Sequence, residues 1–149
     1  MKRTVPVAFS VVALLLFSAC QGSAAVPPGF QIIEAKTCRN VDAERNPLEP
    51  MARFPEGTDQ VYCWFSWKEA KPGLEVVATW YYASEDLKIL STPVKLTRIA
   101  DQGVFSLRMP PGKTLPAGDY RVELTAGRRP LSTVTFTVEK SPPAEKSPQ

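Results

Sequence analysis

The chain has 149 residues, with 18 basic residues against 15 acidic ones, a formal net charge of +3 and no histidine. The absence of histidine excludes Ser-His-Asp and Cys-His catalysis, and the small net charge gives no electrostatic basis for binding nucleic acid. The eight glycines form no phosphate-binding loop, so we expect a protein that is not an enzyme and uses no cofactor or metal.

The first 19 residues have the layout of a secretory signal peptide. Lys2 and Arg3 precede an apolar run over residues 5–17, which is shorter than the roughly 20 apolar residues of a membrane-spanning helix. Cys20 follows two small residues at the end of this run, an arrangement that resembles a bacterial lipobox. In that family of signals the cysteine receives a lipid and becomes the new N-terminus, so the resemblance implies that Cys20 is lipidated.

A second cleavage site stays open, because residues 23–25 also fit the small-x-small rule. Cleavage there releases a soluble protein, periplasmic or secreted, that begins at Val26. With cleavage before Cys20 the chain loses Lys2 and Arg3, so 16 basic and 15 acidic residues remain and the formal charge falls to +1.

Residues 20–29 are small, polar and proline-rich and predict a flexible tether, and residues 140–149 predict a disordered Pro-rich tail. Between them, residues 30–139 alternate β signals with turn signals. Strands are expected over residues 30–36, 60–67, 74–82, 87–90, 94–99, 104–109, 119–125 and 131–138, with residues 39–59 as a long loop and 101–103 as a hairpin turn. This pattern predicts an all-β fold, a single sandwich of seven to eight antiparallel strands.

Residues 115–124, LPAGDYRVEL, resemble the PxGxYxVxL strand entry of bacterial immunoglobulin-like and fibronectin-like domains. The resemblance implies that Tyr120 acts like a tyrosine corner, with its hydroxyl bonded to nearby backbone. Trp80 resembles the core tryptophan of such sandwiches. The chain as a whole resembles small lipoproteins of Gram-negative bacteria that carry a domain of this kind.

The resemblance also implies a location and a class of function. Asp after the lipidated cysteine usually keeps such lipoproteins at the inner membrane, so Gln21 implies an outer-membrane protein that faces the periplasm. We expect a binding or structural module of the cell envelope, whose partners are the membrane, through the lipid anchor, and an envelope protein or a glycan.

The cysteine count predicts a disulfide. Three cysteines are an odd number for an exported chain, but if Cys20 carries a lipid, Cys38 and Cys63 remain as a pair in an oxidising compartment. Their bond would tie the ends of the long loop together and contribute roughly 3–4 kcal/mol. Two buried free thiols are the alternative.

Aromatic residues on two neighbouring strands suggest a binding surface. Alternation places Tyr62 and Trp64 on the face opposite Cys63, and Tyr81 on the face opposite Trp80. If the two strands form one hairpin, Tyr62, Trp64 and Tyr81 form an outer patch that binds a protein or a glycan. The alternative is that the loop over residues 39–59 covers this face and makes a second small core.

Overall fold

The computed structural model describes residues 25–142, which form nine β-strands and one short 3-10 helix. The strands are β1 (Gln31–Val41), β2 (Pro47–Pro50), β3 (Arg53–Phe54), β4 (Gln60–Lys68), β5 (Glu75–Tyr82), β6 (Leu87–Lys95), β7 (Asp101–Arg108), β8 (Gly118–Ala126) and β9 (Arg129–Val138), and the 3-10 helix is Ala83–Glu85. Within residues 25–142, no helix has the length and apolar character needed to cross a membrane.

Two sheets pack face to face as a β-sandwich. The four-stranded sheet has the order β2-β1-β4-β7, and the five-stranded sheet has the order β3-β9-β8-β5-β6. Neighbouring strands are antiparallel except β3 and β9, which are parallel. The predicted all-β sandwich is therefore confirmed. It has nine strands, because the segment expected as a long loop contributes two short ones and the two strands expected over residues 87–90 and 94–99 form one, β6.

The core lies between the sheets and follows the predicted alternation. On β8, Tyr120, Val122 and Leu124 are buried, and their neighbours Arg121 and Glu123 are more exposed. Side-chain alternation predicts a core made of Phe65, Trp67, Trp80, Val104 or Phe105, Tyr120, Val122, Leu124, Val134, Phe136 and Val138. These residues are buried, except that Val134 is half-buried, and Phe105 rather than Val104 points inward. The Tyr120 hydroxyl donates to the Pro116 carbonyl at 2.6 Å, which is the tyrosine-corner bond that the resemblance implied.

Residues 39–59, which were expected to form a loop, instead carry the chain from the four-stranded sheet to the five-stranded sheet. β1 continues to Val41 and returns as β2, because the Asp42 carboxylate accepts from the backbone N–H groups of Glu44 and Asn46 and closes a tight turn. The Met51 carbonyl accepts from the Thr37 hydroxyl at 2.6 Å, and β3 then joins the five-stranded sheet. A run rich in prolines is thus ordered at the sandwich edge.

The region from residue 87 to 103 also differs from the expectation. Pro93 was expected to break the strand, but β6 runs through it. Because β6 lies at the edge of its sheet, a residue without an N–H can sit there with no loss of a ladder bond. The expected hairpin at residues 101–103 is wrong, since these residues begin β7 in the other sheet.

The ends of the domain extend slightly beyond the predicted bounds. Val26 packs against the core, and the Phe30 N–H donates to the Pro27 carbonyl at 3.1 Å, so residues 26–29 lie on the domain. The backbone N–H of Ser141, in the predicted tail, donates to Glu56. Residues 1–24, which include the predicted signal peptide and Cys20, and residues 143–149 lie outside the described residues.

Candidate functional site

The predicted disulfide between Cys38 and Cys63 is wrong, because both thiols are free and buried. The two strands pair with Thr37 opposite Cys63 and Cys38 opposite Tyr62. Side chains alternate between the faces of a sheet, so Cys63 points into the core and Cys38 points to the outer face. A disulfide requires Cβ vectors that converge, and these two diverge.

Burial makes both thiols chemically inert. Desolvation, together with a smaller effect of the neighbouring Cys38, raises the pKa of the Cys63 thiol to about 12. Burial also raises the pKa of Cys38, against smaller opposing effects from backbone groups of Leu48 and Asn40. Only the thiolate is a nucleophile or metal ligand, so neither residue is a candidate reactive centre.

The predicted patch of Tyr62, Trp64 and Tyr81 does not form. β4 and β5 lie in different sheets, so Tyr62 and Trp64 belong to the outer face of the four-stranded sheet and Tyr81 to the opposite outer face. The sequence prediction assumed a hairpin between β4 and β5, but the turn between them carries the chain across the sandwich.

Trp64 is covered rather than open, with 7% of its surface exposed. The Lys36 ammonium lies 5.0 Å from its ring centroid. The loop over residues 42–46, which we call the crossing loop, runs from β1 to β7: the Gln102 side chain donates to the Glu44 carbonyl at 2.9 Å and to Asn46 Oδ1 at 3.0 Å. Since β4 lies between β1 and β7, the crossing loop passes over the face that carries Trp64.

Tyr81 is also covered by a cation. The Arg121 guanidinium lies 4.1 Å from the Tyr81 ring centroid and bonds Asp86 at 2.8 Å and Glu123 at 2.9 Å. The hydrogen bonds that Arg121 donates, to Asp86 first and then to Glu123, raise the pKa of Arg121. The ring therefore packs against a surface ion-pair cluster, and the guanidinium occupies one of its faces.

A different surface is open, the inner face of β6. Val94 pairs with Val76 and Leu90 pairs with Trp80, so each pair points to the same side of the sheet. Val76 and Trp80 are fully buried, but Val94 and Leu90 remain 37% and 39% exposed. The apolar side of β6 faces inward and meets no opposing strand among residues 25–142.

The unequal width of the two sheets explains this exposure. β1 of the four-stranded sheet packs against β9 of the five-stranded sheet. Following both strand orders from this pair, β4 lies over β8, and β7 lies over β5. β6 then extends beyond β7, the last strand of the four-stranded sheet. We call the space between the free edge of β7 and the inner face of β6 the β6–β7 cleft.

We call the end of the cleft at which β7 begins its lower end, and the end at which β7 finishes its upper end. The lower end holds a cavity of about 310 Å³ between Val94, Phe65 and Gly103. A Cβ at Gly103 would lie 2.8 Å from the Phe65 ring, so glycine keeps this notch in β7 open. The upper end holds a cavity of about 360 Å³ with a mainly apolar lining, which includes Leu87, Ile89, Met109, Leu115 and Tyr120.

The lower end is positively charged. Arg45, Lys95 and Arg98 line it together with a single carboxylate, Asp101. Arg45 and Arg98 approach that carboxylate at 3.4 Å and 3.6 Å, and the Gln102 backbone N–H, followed by these arginines, lowers the pKa of Asp101. Lys95 follows Val94 and stands opposite Glu75, so its side chain lies on the outer face of β6. Two cations in the cleft, Arg45 and Arg98, against one anion leave this end electropositive.

Sequence reasoning missed the cleft because it divided β6 at Pro93. A signal was present in Leu87, Ile89, Leu90 and Val94, which are apolar residues on one short strand. Whether such a strand is covered depends on which strand lies opposite, and that is a property of the sheet topology alone.

No protein-family model matches the chain, and no curated protein matches it. Among solved structures, it is similar to an immunoglobulin-like protein of Pseudomonas aeruginosa, with a TM-score of 0.53, 13% identity, and coverage of 74% of this chain and 96% of that one. It is also similar to part of the alkylpurine DNA glycosylase AlkC of Pseudomonas fluorescens bound to DNA with an abasic site analog: TM-score 0.51, 14% identity, 80% of this chain and 32% of that one. At these identities the likeness defines the fold, an immunoglobulin-like β-sandwich.

Proposed function

We propose that the chain is a lipid-anchored lipoprotein of the cell envelope and acts there as a non-enzymatic binding module. The anchor is supported by Cys20, which stands directly after two small residues at the end of a short apolar run. The binding role is supported by one observation above all, the apolar inner face of β6, which no strand of the described part of the chain covers. Exposed apolar surface of this kind marks an interaction site.

The short connection between anchor and domain favours a fixed orientation. Val26 already packs on the domain, so only residues 21–25 separate it from Cys20. β1 begins beside Lys68, at the same end of the sandwich as Asp101. A lipid on Cys20 therefore holds the lower, positively charged end of the cleft towards the membrane.

We do not extend the proposal to glycans. That alternative depended on Tyr62, Trp64 and Tyr81 acting as one exposed aromatic surface, and Trp64 is buried while Tyr81 lies on the other sheet. An outer-membrane location, inferred from Gln21, remains part of the proposal.

Metabolic labelling with an alkyne fatty acid, followed by membrane fractionation, tests the anchor. Cys20→Ala should lose both the label and the association with outer membranes. Cys38→Ser and Cys63→Ser are matched controls, because each removes one thiol but leaves Cys20, and both should keep the label. Mass spectrometry of the mature N-terminus distinguishes cleavage before Cys20 from cleavage before Val26. A Cys20→Ala protein that still fractionates with outer membranes contradicts the proposal.

A further inference from the structure

We propose that the β6–β7 cleft accepts one extended segment of another protein, which pairs with the free edge of β7. Its apolar side chains would cover β6, and an acidic group would lie at the lower end. The inference rests on the proposed binding function and specifies its partner by chemistry.

The backbone of β7 is the first part of the argument. β7 pairs with β4 on one side and ends the four-stranded sheet on the other, so one edge of its eight residues has no strand partner among residues 25–142. Natural edges are commonly protected by proline or inward-pointing charges. β6 carries Pro93 at its own edge, whereas β7 contains no proline and is open to strand addition.

The inner face of β6 is the second part. A strand added to β7 would lie about 4.8 Å beyond it in the same sheet, and thus above β6 at the usual sheet spacing of about 10 Å. Alternate side chains of the added strand would point down onto Leu87, Leu90 and Val94. An extended segment with an apolar residue at every second position fits this surface.

The width of the five-stranded sheet argues against a second copy of the chain. If two copies paired β7 with β7 in antiparallel fashion and continued one sheet, the five-stranded sheets would lie on the same side. Since β6 extends beyond β7, β6 of each copy would then occupy the space of β5 in the other. A single extended segment brings no second sheet with it. It can therefore pair with β7 above β6, whereas a second copy of the whole domain would clash with β6.

Charge is the final part and sets the chemistry of the segment. Arg45 and Arg98 lie at the end of the cleft at which β7 begins. An added strand that runs antiparallel to β7 has its C-terminal end there. A segment whose last residues are acidic, or whose terminal carboxylate is free, complements this charge.

The probe is a fluorescent synthetic peptide that alternates valine with threonine and ends in two glutamates, added to the purified mature protein. Fluorescence anisotropy should detect binding, and hydrogen exchange should show new protection of the β7 amides that do not bond to β4. The same peptide N-methylated at every residue has no N–H group left to donate to a strand on either edge and should not bind. Equal binding of the two peptides overturns the proposal.

Three variants separate the contributions. Leu90→Thr with Val94→Thr should weaken binding at least tenfold, whereas Ile33→Thr, at a residue that is 62% exposed on β1, should have no effect. Arg98→Glu should reverse the preference for an acidic end. A lysine-ended peptide should then bind more tightly than the glutamate-ended one, by about fivefold, as expected for a charge at the rim of the site. A dimer that dissociates on the Leu90 and Val94 changes overturns the proposal in favour of a second copy.

The proposed lipid anchor and the proposed peptide binding in the cleft can be contradicted independently of each other. Loss of lipid labelling in the unmodified protein contradicts the proposed anchoring but leaves peptide binding intact. Phosphatidylglycerol vesicles that bind through Leu90 and Val94, with no peptide binding, contradict this inference and identify the cleft as a lipid site.

Discussion

Cys38 and Cys63 show how much depends on a single residue of register. The strands pair Cys38 with Tyr62, so a shift of one position would place both thiols on the same face. Their buried free state also means that the domain is stabilised by its core and its strand ladders, without the contribution of roughly 3–4 kcal/mol that a disulfide would add.

Alkylation without reductant should label neither Cys38 nor Cys63 in the folded protein and both after denaturation. Burial and a pKa of about 12 keep Cys63 protonated at neutral pH, and Cys38 is fully buried. Mass spectrometry counts the labels. A Ser91→Cys variant, with its thiol on the exposed outer side of β6, should gain one label in the native state. No label on Cys38 and Cys63 after denaturation would mean that the disulfide exists.

Among the structural elements, the crossing loop has the clearest role. Asp42 orders it by accepting from Asn46 and Glu44, and its tip reaches β7 through Gln102 and Asp101. A single turn thereby links β1 to β7 over the outer face of β4. This contact protects an aromatic residue that would otherwise be solvent-exposed on a two-sided apolar strand.

Gln102→Ala should increase hydrogen exchange at the Trp64 indole N–H. The change removes two bonds that hold the crossing loop, and at about 1 kcal/mol each the opening equilibrium should rise tenfold or more. NMR of the indole signals measures it, with the fully buried Trp80 as an internal reference. Thr79→Ala, which removes a bond to Ser91 in the other sheet, is the control. Unchanged exchange at Trp64 would show that the crossing loop does not protect it.

At the scale of the whole molecule, stability should depend on pH only at the extremes. Hydrogen bonds from Asn46 and from Gln102 lower the pKa of Asp42 and Asp101, respectively, from 3.8. A carboxyl group whose pKa is lower in the folded state stabilises the fold above its unfolded pKa, and that stability is lost as pH falls through the folded pKa. Burial raises the pKa of Cys63 and Tyr120 to about 12, so their contribution is lost as pH rises from the unfolded values towards 12.

Thermal unfolding should therefore show a plateau in Tm between about pH 5 and 8, because the chain has no histidine to titrate there. Tm should decrease below about pH 4 and above about pH 9. The double variant Asp42→Asn and Asp101→Asn should show a smaller acid decrease. Calorimetry across this range checks the profile, and a steep change in Tm near pH 6.5 would be inconsistent with it.

The pattern of residues alone was sufficient for much of the fold. The alternation on β8 and β9 was predicted correctly, because strand periodicity is a local property of the chain. The tyrosine corner at Tyr120 was implied by the resemblance of residues 115–124 to immunoglobulin-like domains, and the structure confirms its hydrogen bond. The inward face of β4, with Cys63 and Phe65, was also correct. The short strands β2 and β3 were missed, since their order comes from the Asp42 turn and from pairing with β1 and β9.

For the candidate site, too, some features follow from the sequence and others only from the tertiary structure. The sequence by itself determined the all-β class and the core face of most strands, and it predicts a secretory signal in the first 19 residues. Only the tertiary structure decided that Cys38 and Cys63 face apart, that Trp64 is covered, and that β6 extends beyond β7. Side-chain alternation is set by adjacent residues, whereas burial requires a partner strand that is distant in the chain, and no local pattern specifies that partner.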